Sequence, residues 1–196
     1  INAGGPYIAK RFIKELFSKI NQLKDGDVLV LAGSIPKSLD TVFYASIMRQ
    51  IKNTNVMVVV DAIDDLLLKT LKHHPFLIKP NKKELEVIVK RELNTKEDLI
   101  AACKELQLLG ARNVIVSLGG SGALLVCENG EVLHRFAKHG KVINSTGSGD
   151  SLVAGFLYGY LTHGTYEEGM DWGIACGSAT AFSLDLASKE MILDVK

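Results

Sequence analysis

The residues best suited to chemistry gather in one stretch, Asn144-Ser145-Thr146-Gly147-Ser148-Gly149-Asp150. Two glycines among small hydroxyl residues lead into the apolar pattern Leu152, Val153, Phe156, Leu157, Tyr160 and Leu161, which has helical spacing. Glycines let a backbone approach a ligand closely, and free N–H groups at a helix start attract phosphate. Asp150 falls in the first turn, where its carboxylate faces whatever that anion pocket holds. The plainer alternative is a capped helix behind a flexible turn, with Asp150 favoured only by the helix dipole. Taken alone, the stretch leaves the two about even. It is not a P-loop, because no Gly-Lys-Ser or Gly-Lys-Thr follows, and it lacks the dinucleotide-binding GxGxxG context.

A second group is Lys79-Pro80-Asn81-Lys82-Lys83-Glu84. Asn81 and Glu84 are three apart and so share one face of a first helical turn. An amide oxygen and a carboxylate so placed can order a hydrated magnesium ion, a hard cation that keeps most of its waters. Lys79 can reach a phosphate as a compact point charge. A capping-box pair at a helix start accounts for Asn81 and Glu84 equally simply, and locally it is the stronger account. A third group, Ser117-Leu118-Gly119-Gly120-Ser121-Gly122, is a glycine-rich bend against which a nucleotide could lie; a bulged turn is the alternative. Gly33-Ser34-Ile35-Pro36-Lys37 offers a hydroxyl and a cation for a sugar phosphate, and Asp61 reads as an N-cap. The five histidines show no ligand spacing and read as surface residues.

The elements that must position these groups follow from periodicity. Ile8, Phe12, Ile13, Leu16, Phe17, Ile20 and Leu23 recur at helical spacing. Short apolar runs at 28–32, 56–60, 76–78 and 114–117 read as buried parallel strands. Helical patterns lie between them, one opening at an Asp40 N-cap and others near 64–72, 82–90 and 96–109. Residues 123–127 and 131–136 flank Asn129-Gly130, a hairpin signal, because that pair supplies the positive φ angles of a tight turn. A last strand is expected near Val142 and Ile143, then two helices over 151–162 and 166–186. Tyr158 and Tyr160 read as core. Strands alternating with helices mean an α/β fold with a mostly parallel sheet and an antiparallel hairpin toward one edge. In such sheets ligands sit beyond the carboxyl ends of the strands, which is where every group above falls.

Composition sets the outer bounds. The 196 residues are 47% hydrophobic and 23% charged, with a net charge of +1, which suits a globular core and gives no electrostatic case for nucleic acid or an anionic membrane. No apolar run approaches the ~20 residues of a membrane span. Three cysteines, Cys103, Cys127 and Cys176, without a CxxC pair, read as reduced thiols of a cytoplasmic protein. The chain starts Ile1-Asn2-Ala3 without a Met and runs at once into a helical pattern, so a piece of a longer chain is expected. No repeat or linker divides it, which makes it one domain.

Together these groups resemble the ribokinase-like phosphofructokinase B family of carbohydrate kinases. Thr146-Gly147-Ser148-Gly149-Asp150 is similar to the family's (D/S)TxGxGD signature, Asn81-x-x-Glu84 to its NxxE motif, and Val116-Ser117-Leu118-Gly119 to its nucleotide-site strand and turn. Ser145, with Gly33-Ser34-Ile35-Pro36 and Lys79-Pro80-Asn81, points to the 1-phosphofructokinase and tagatose-6-phosphate kinase branch. The resemblance implies a three-layer α/β/α fold and phosphorylation of a sugar phosphate by ATP. Fructose 1-phosphate is the first expectation; tagatose 6-phosphate, or a non-catalytic nucleotide-binding domain, is the alternative. It implies that Asp150 is the base, that Gly147, Ser148 and Gly149 form an anion hole, and that Lys79 meets the ATP phosphates. Ser117, Gly119, Gly120, Gly122 and Thr146 would line the nucleotide site, with Ile174 and Ser178 near adenine and Ser34 at the sugar phosphate. Asn81 and Glu84 would organise magnesium (Mg2+) through water, and the carbonyls of Asn144 and Thr146 would suit a monovalent cation. By the same resemblance, residues 1–196 are the C-terminal, nucleotide-binding and catalytic portion of the kinase domain, without its lid and first strands, and the complete protein is a homodimer.

Overall fold

The computed structural model describes residues 4–196. Its element order is α1 (Lys10–Ile20), β1 (Val28–Ala32), α2 (Phe43–Gln50), β2 (Met57–Asp61), α3 (Asp64–Leu71), β3 (Leu77–Ile78), α4 (Lys82–Val89), α5 (Lys96–Leu108), β4 (Asn113–Ser117), β5 (Ala123–Val126), β6 (Val132–Arg135), α6 (Ser148–His163), α7 (Tyr166–Ala181) and α8 (Lys189–Val195). The six strands form one sheet in sequence order, β1 to β4 parallel and β5 and β6 antiparallel. Each parallel step needs a crossover, and α2, α3 and the α4–α5 pair supply them.

Alternation along the strands splits the interior in two. Val58, Val60, Ile78, Val114, Val116, Leu124 and Val126 face α1 to α5, and Val59, Leu77, Ile115 and Leu125 face α6 and α7. Strands covered on both faces must be apolar on both, which is why these segments show continuous rather than alternating hydrophobicity. The result is the expected α/β/α layering.

Helices α6 and α7 meet through glycine. A Cβ on Gly155 would lie 2.5 Å from the Trp172 carbonyl oxygen, and one on Gly159 would collide with the Glu168 carbonyl. From the other side, Gly169 abuts the Phe156 ring and Gly173 and Gly177 abut the carbonyls of Leu152 and Ser148. The two backbones therefore touch along their length.

Several expectations change. Val142 and Ile143 are not a strand: the N–H groups of Ile143 and Asn144 both donate to the Ala181 carbonyl, so this segment is tied to a helix end instead of a ladder. The last helix stops at Ala181, where Ser183 turns its hydroxyl back onto the Ala179 carbonyl (2.7 Å) and Phe182 and Ser183 bond in tighter 3₁₀ fashion. A separate α8 then starts at Ser188, whose hydroxyl accepts from the Met191 N–H. Asp40 is not the cap of α2; its carboxylate accepts the Val42 N–H in the turn before it. Tyr158 is exposed, whereas Tyr160 packs between Phe76 and Tyr166. The three cysteines are free and buried, and burial pushes the Cys103 and Cys127 thiols up to about 12.

Candidate active site at the strand ends

Register brings the chemical groups together. Val60 lies opposite Ile78 in the β2–β3 ladder, so the next residues, Asp61 and Lys79, stand side by side. Ile78 and Val60 face α1 to α5, so alternation turns Lys79 and Asp61 toward α6. There the Lys79 ammonium lies 3.3 Å from Asp61 Oδ1, with both side chains largely buried. It also lies 3.1 Å from the point a Cβ on Gly149 would occupy. Gly149 thus leaves room for a cation beneath the first turn of α6.

That turn is an open set of donors. Gly147 adopts a left-handed conformation (φ 80°) that a residue with a side chain adopts only with strain. Its carbonyl accepts the Ser151 N–H, while the N–H groups of Gly147, Gly149 and Asp150 donate to no protein acceptor among the described residues. Asp150 is exposed, and its carboxylate makes no hydrogen bond or ion pair with a described residue. The Ser148 hydroxyl is buried without a partner among the described residues. Three unused N–H groups, an orphan hydroxyl and a fixed ammonium form a cradle for an anion, with a free carboxylate at its edge.

Asn81 caps α4 as the spacing allows. Its Oδ1 accepts the Glu84 N–H (2.9 Å), and Glu84 Oε2 accepts the Asn81 N–H (2.8 Å). The capping box is therefore real, but it uses one oxygen of Glu84 and leaves the other without a protein partner among the described residues. Asp61 is near enough to sense Glu84 and Asp150: burial pushes the Asp61 carboxyl above its usual range, Lys79 opposes this, and the charges of Asp150 and Glu84 add to it. No three acidic, imidazole or thiol groups converge for direct ligation among the described residues. The donors fit a hard ion that keeps its waters, touched by the free Glu84 oxygen.

Beside this cradle lies a cleft of about 710 Å³. Ser117, Gly119, Gly120, Gly122, Ser148, Gly149, Ile174 and Ser178, all singled out from the sequence, line it together. Gly122 is held at φ 89°, and a Cβ there would strike the Arg135 carbonyl, which fixes the bend against β6. Thr146 and Ser34 stand outside the cleft lining. Thr146 donates its N–H to Asn144 Oδ1, and Asn144 ties the loop to the Leu184 carbonyl. Ser34 is exposed one residue beyond Gly33, whose N–H donates to the Asp61 carbonyl.

Sequence reasoning missed three contributors. Phe136 and Phe182 line the cleft, but in the sequence they read only as part of a hairpin strand and of the last helix, with nothing to mark them as facing a ligand. Asp61, read as a cap, closes the apolar run Met57-Val58-Val59-Val60; a lone acid ending a buried strand was the available signal. A smaller cavity of about 530 Å³, on the α4–α5 side of Ser117, shares Ser117 and Gly119 with the cleft.

Comparison with known proteins finds carbohydrate kinases. The chain is 41% identical over 192 residues to a 1-phosphofructokinase of Bacillus subtilis, covering 98% of this chain and 63% of that protein. It is 34% identical over 183 residues to a D-tagatose-1-phosphate kinase of Bacillus licheniformis, covering 93% of this chain and 60% of that one. Its structure matches phosphofructokinase-2 from Escherichia coli, solved in complex with fructose-6-phosphate, with a TM-score of 0.90 at 27% identity, covering 100% of this chain and 63% of that one. The chain thus spans somewhat under two thirds of the length of these relatives. The family described as pfkB family carbohydrate kinase matches residues 1–190. With its strand-end cradle, its cleft and this match over nearly its whole length, the chain belongs to the pfkB family of carbohydrate kinases.

Proposed function

We propose that this chain forms the nucleotide-binding and catalytic part of an enzyme that moves the terminal phosphoryl group of ATP to a hydroxyl of a phosphorylated ketose, fructose 1-phosphate first. The observation that carries this reading is the free Asp150 carboxylate at the edge of a cradle of unpartnered N–H groups, with the nucleotide-sized cleft alongside. Phosphoryl transfer asks for positioning and charge neutralisation more than for strong bases.

In this reading adenine enters between the glycine bend at 119–122 and α7, near Ile174 and Ser178. The triphosphate runs toward the first turn of α6, where the N–H groups of Gly147 and Gly149 and the Ser148 hydroxyl meet the charge that develops on the transferring group, the Ser148 N–H being held by the Ser145 carbonyl. Lys79 meets the phosphates from below. Asp150 accepts the proton of the attacking sugar hydroxyl, which it can do as an ordinary carboxylate if the proton leaves late. Glu84 and Asn81 would hold a magnesium ion through water, and that ion supplies neutralisation of phosphate charge when bound. Ser34 stands on the sugar side, beyond β1. A monovalent cation would sit at the carbonyls of Asn144 and Thr146. The complete protein would be a soluble homodimer of the cytoplasm.

The likeness to a D-tagatose-1-phosphate kinase favours a second reading, in which the acceptor is a tagatose phosphate. The test is a coupled ADP-release assay on the full-length protein with fructose 1-phosphate, fructose 6-phosphate, tagatose 1-phosphate and tagatose 6-phosphate. The expected result is preference for fructose 1-phosphate. Preference for a tagatose phosphate selects the second reading, and nucleotide binding without transfer to any of the four overturns both.

A further inference from the structure

Asp61 sits where no assigned role needs it. Its carboxylate is largely buried, 3.3 Å from the Lys79 ammonium, at the end of a strand whose other outward neighbours are apolar. Burying an ion pair is costly, and hydrophobic replacements of similar volume are often more stable, so stability alone is a weak reason for this pair. Geometry supplies a stronger one. A lysine carries four rotatable bonds, and a free ammonium near a triphosphate would settle on whichever phosphate is nearest in the ground state. Asp61 removes that freedom and holds Lys79 against the space left by Gly149, directly below the unpartnered N–H groups of α6.

We propose that Asp61 is a positioning residue: it tethers the Lys79 ammonium beneath the first turn of α6, so that this charge serves the transferring phosphoryl group in place of resting nucleotide. The inference rests on the proposed kinase reading and deepens it. Interactions that grip substrate and transition state equally do not raise turnover, so a tether that withholds Lys79 from the ground state favours the chemical step.

The test separates binding from turnover in the full-length protein. Asp61→Asn keeps the shape of the side chain and removes its charge. It should lower kcat by roughly 10- to 100-fold, the scale of a small misplacement of a catalytic group. Affinity for ATP, measured by calorimetry, should stay the same or become tighter. A merely structural defect would weaken both together. In a Lys79→Met background, Asp61→Asn should have no further effect on either quantity, because a residue that acts through another is silent once that other is gone. That double variant buries no unpaired charge and so guards against misfolding of the single one.

Parallel loss of affinity and turnover in Asp61→Asn, or additive losses in the double variant, overturns the proposal. If the parent protein binds ATP yet phosphorylates no sugar, the kinase reading fails on its own, while the calorimetric arm still reports the tether: tighter binding in the single variant that is absent in the Lys79→Met background supports it, and unchanged or weaker binding in the single variant overturns it.

Discussion

At the scale of single residues, the site contrasts tied and untied groups. Asn81, Glu84 and Lys79 each have a protein partner, whereas Asp150 has none among the described residues. A carboxylate in the first turn of a helix is stabilised by the helix dipole and would be expected there even without a function. What sets Asp150 apart is its setting beside donors that have no protein acceptor among the described residues. Asp150→Asn should therefore leave ATP affinity within a few-fold and lower turnover by roughly 10²–10⁴, the range for a general base. Near-normal turnover in the full-length variant would return Asp150 to the role of a helix cap. The sequence showed this residue because its neighbours are distinctive. It did not show the role of Asp61, because the partner of that carboxylate lies on another strand and only register brings them together.

At the scale of elements, the seam between α6 and α7 governs the placement of the cradle. Helix α6 carries Asp150 at its start, and α7 carries Ile174 and Ser178 against the cleft. At Gly155, Gly159, Gly173 and Gly177 the seam places a carbonyl nearest to the glycine, while Gly169 meets the Phe156 ring. Gly159→Ala tests this, since two effects oppose each other. Alanine gains about 1 kcal/mol of helix propensity over glycine. Forcing a methyl group against the Glu168 carbonyl costs about 1–3 kcal/mol or more, because a backbone atom cannot swing aside. Packing should win, and the melting temperature should fall by roughly 4–8 °C for a net loss of about 2 kcal/mol. A rise in melting temperature would mean that the helices stand apart. Helical spacing of Leu152, Phe156 and Tyr160 announced α6, and the Asn129-Gly130 pair announced the hairpin. The end of α7 was hidden, because Leu184 and Leu186 continue an apolar rhythm while standing exposed. Val142 and Ile143 misled for the same reason: β-branched residues are common in strands but also occur where a loop meets a helix end.

At the scale of the whole molecule, the sheet ends on two edge strands, β1 and β6. Strand β1 has a single sheet neighbour among the described residues, and on its α6-facing side Val30 is 43% exposed. Phe12 and Leu16 of α1 are also exposed. An open apolar edge is a template for pairing with another chain. Residues 1–196 produced alone should therefore associate at high concentration, as read by analytical ultracentrifugation, and Val30→Lys should reduce that association. A monomeric parent, or equal association in both, would exonerate the edge. The architecture was legible because each parallel strand is an apolar run bounded by turn residues, and because the motif groups all fall at strand ends. A last consequence comes from β3, which contributes only Leu77 and Ile78 to the ladder yet delivers both Lys79 and Asn81. Alternation decides the face on which each residue lands, so losing or gaining one residue between Phe76 and Pro80 would send the Lys79 ammonium into the opposite layer. Substitutions can be absorbed at Leu77 or Ile78, but insertions and deletions cannot. The length of this shortest strand is thus under tighter constraint than its composition, and natural variants should differ here in spelling and never in spacing.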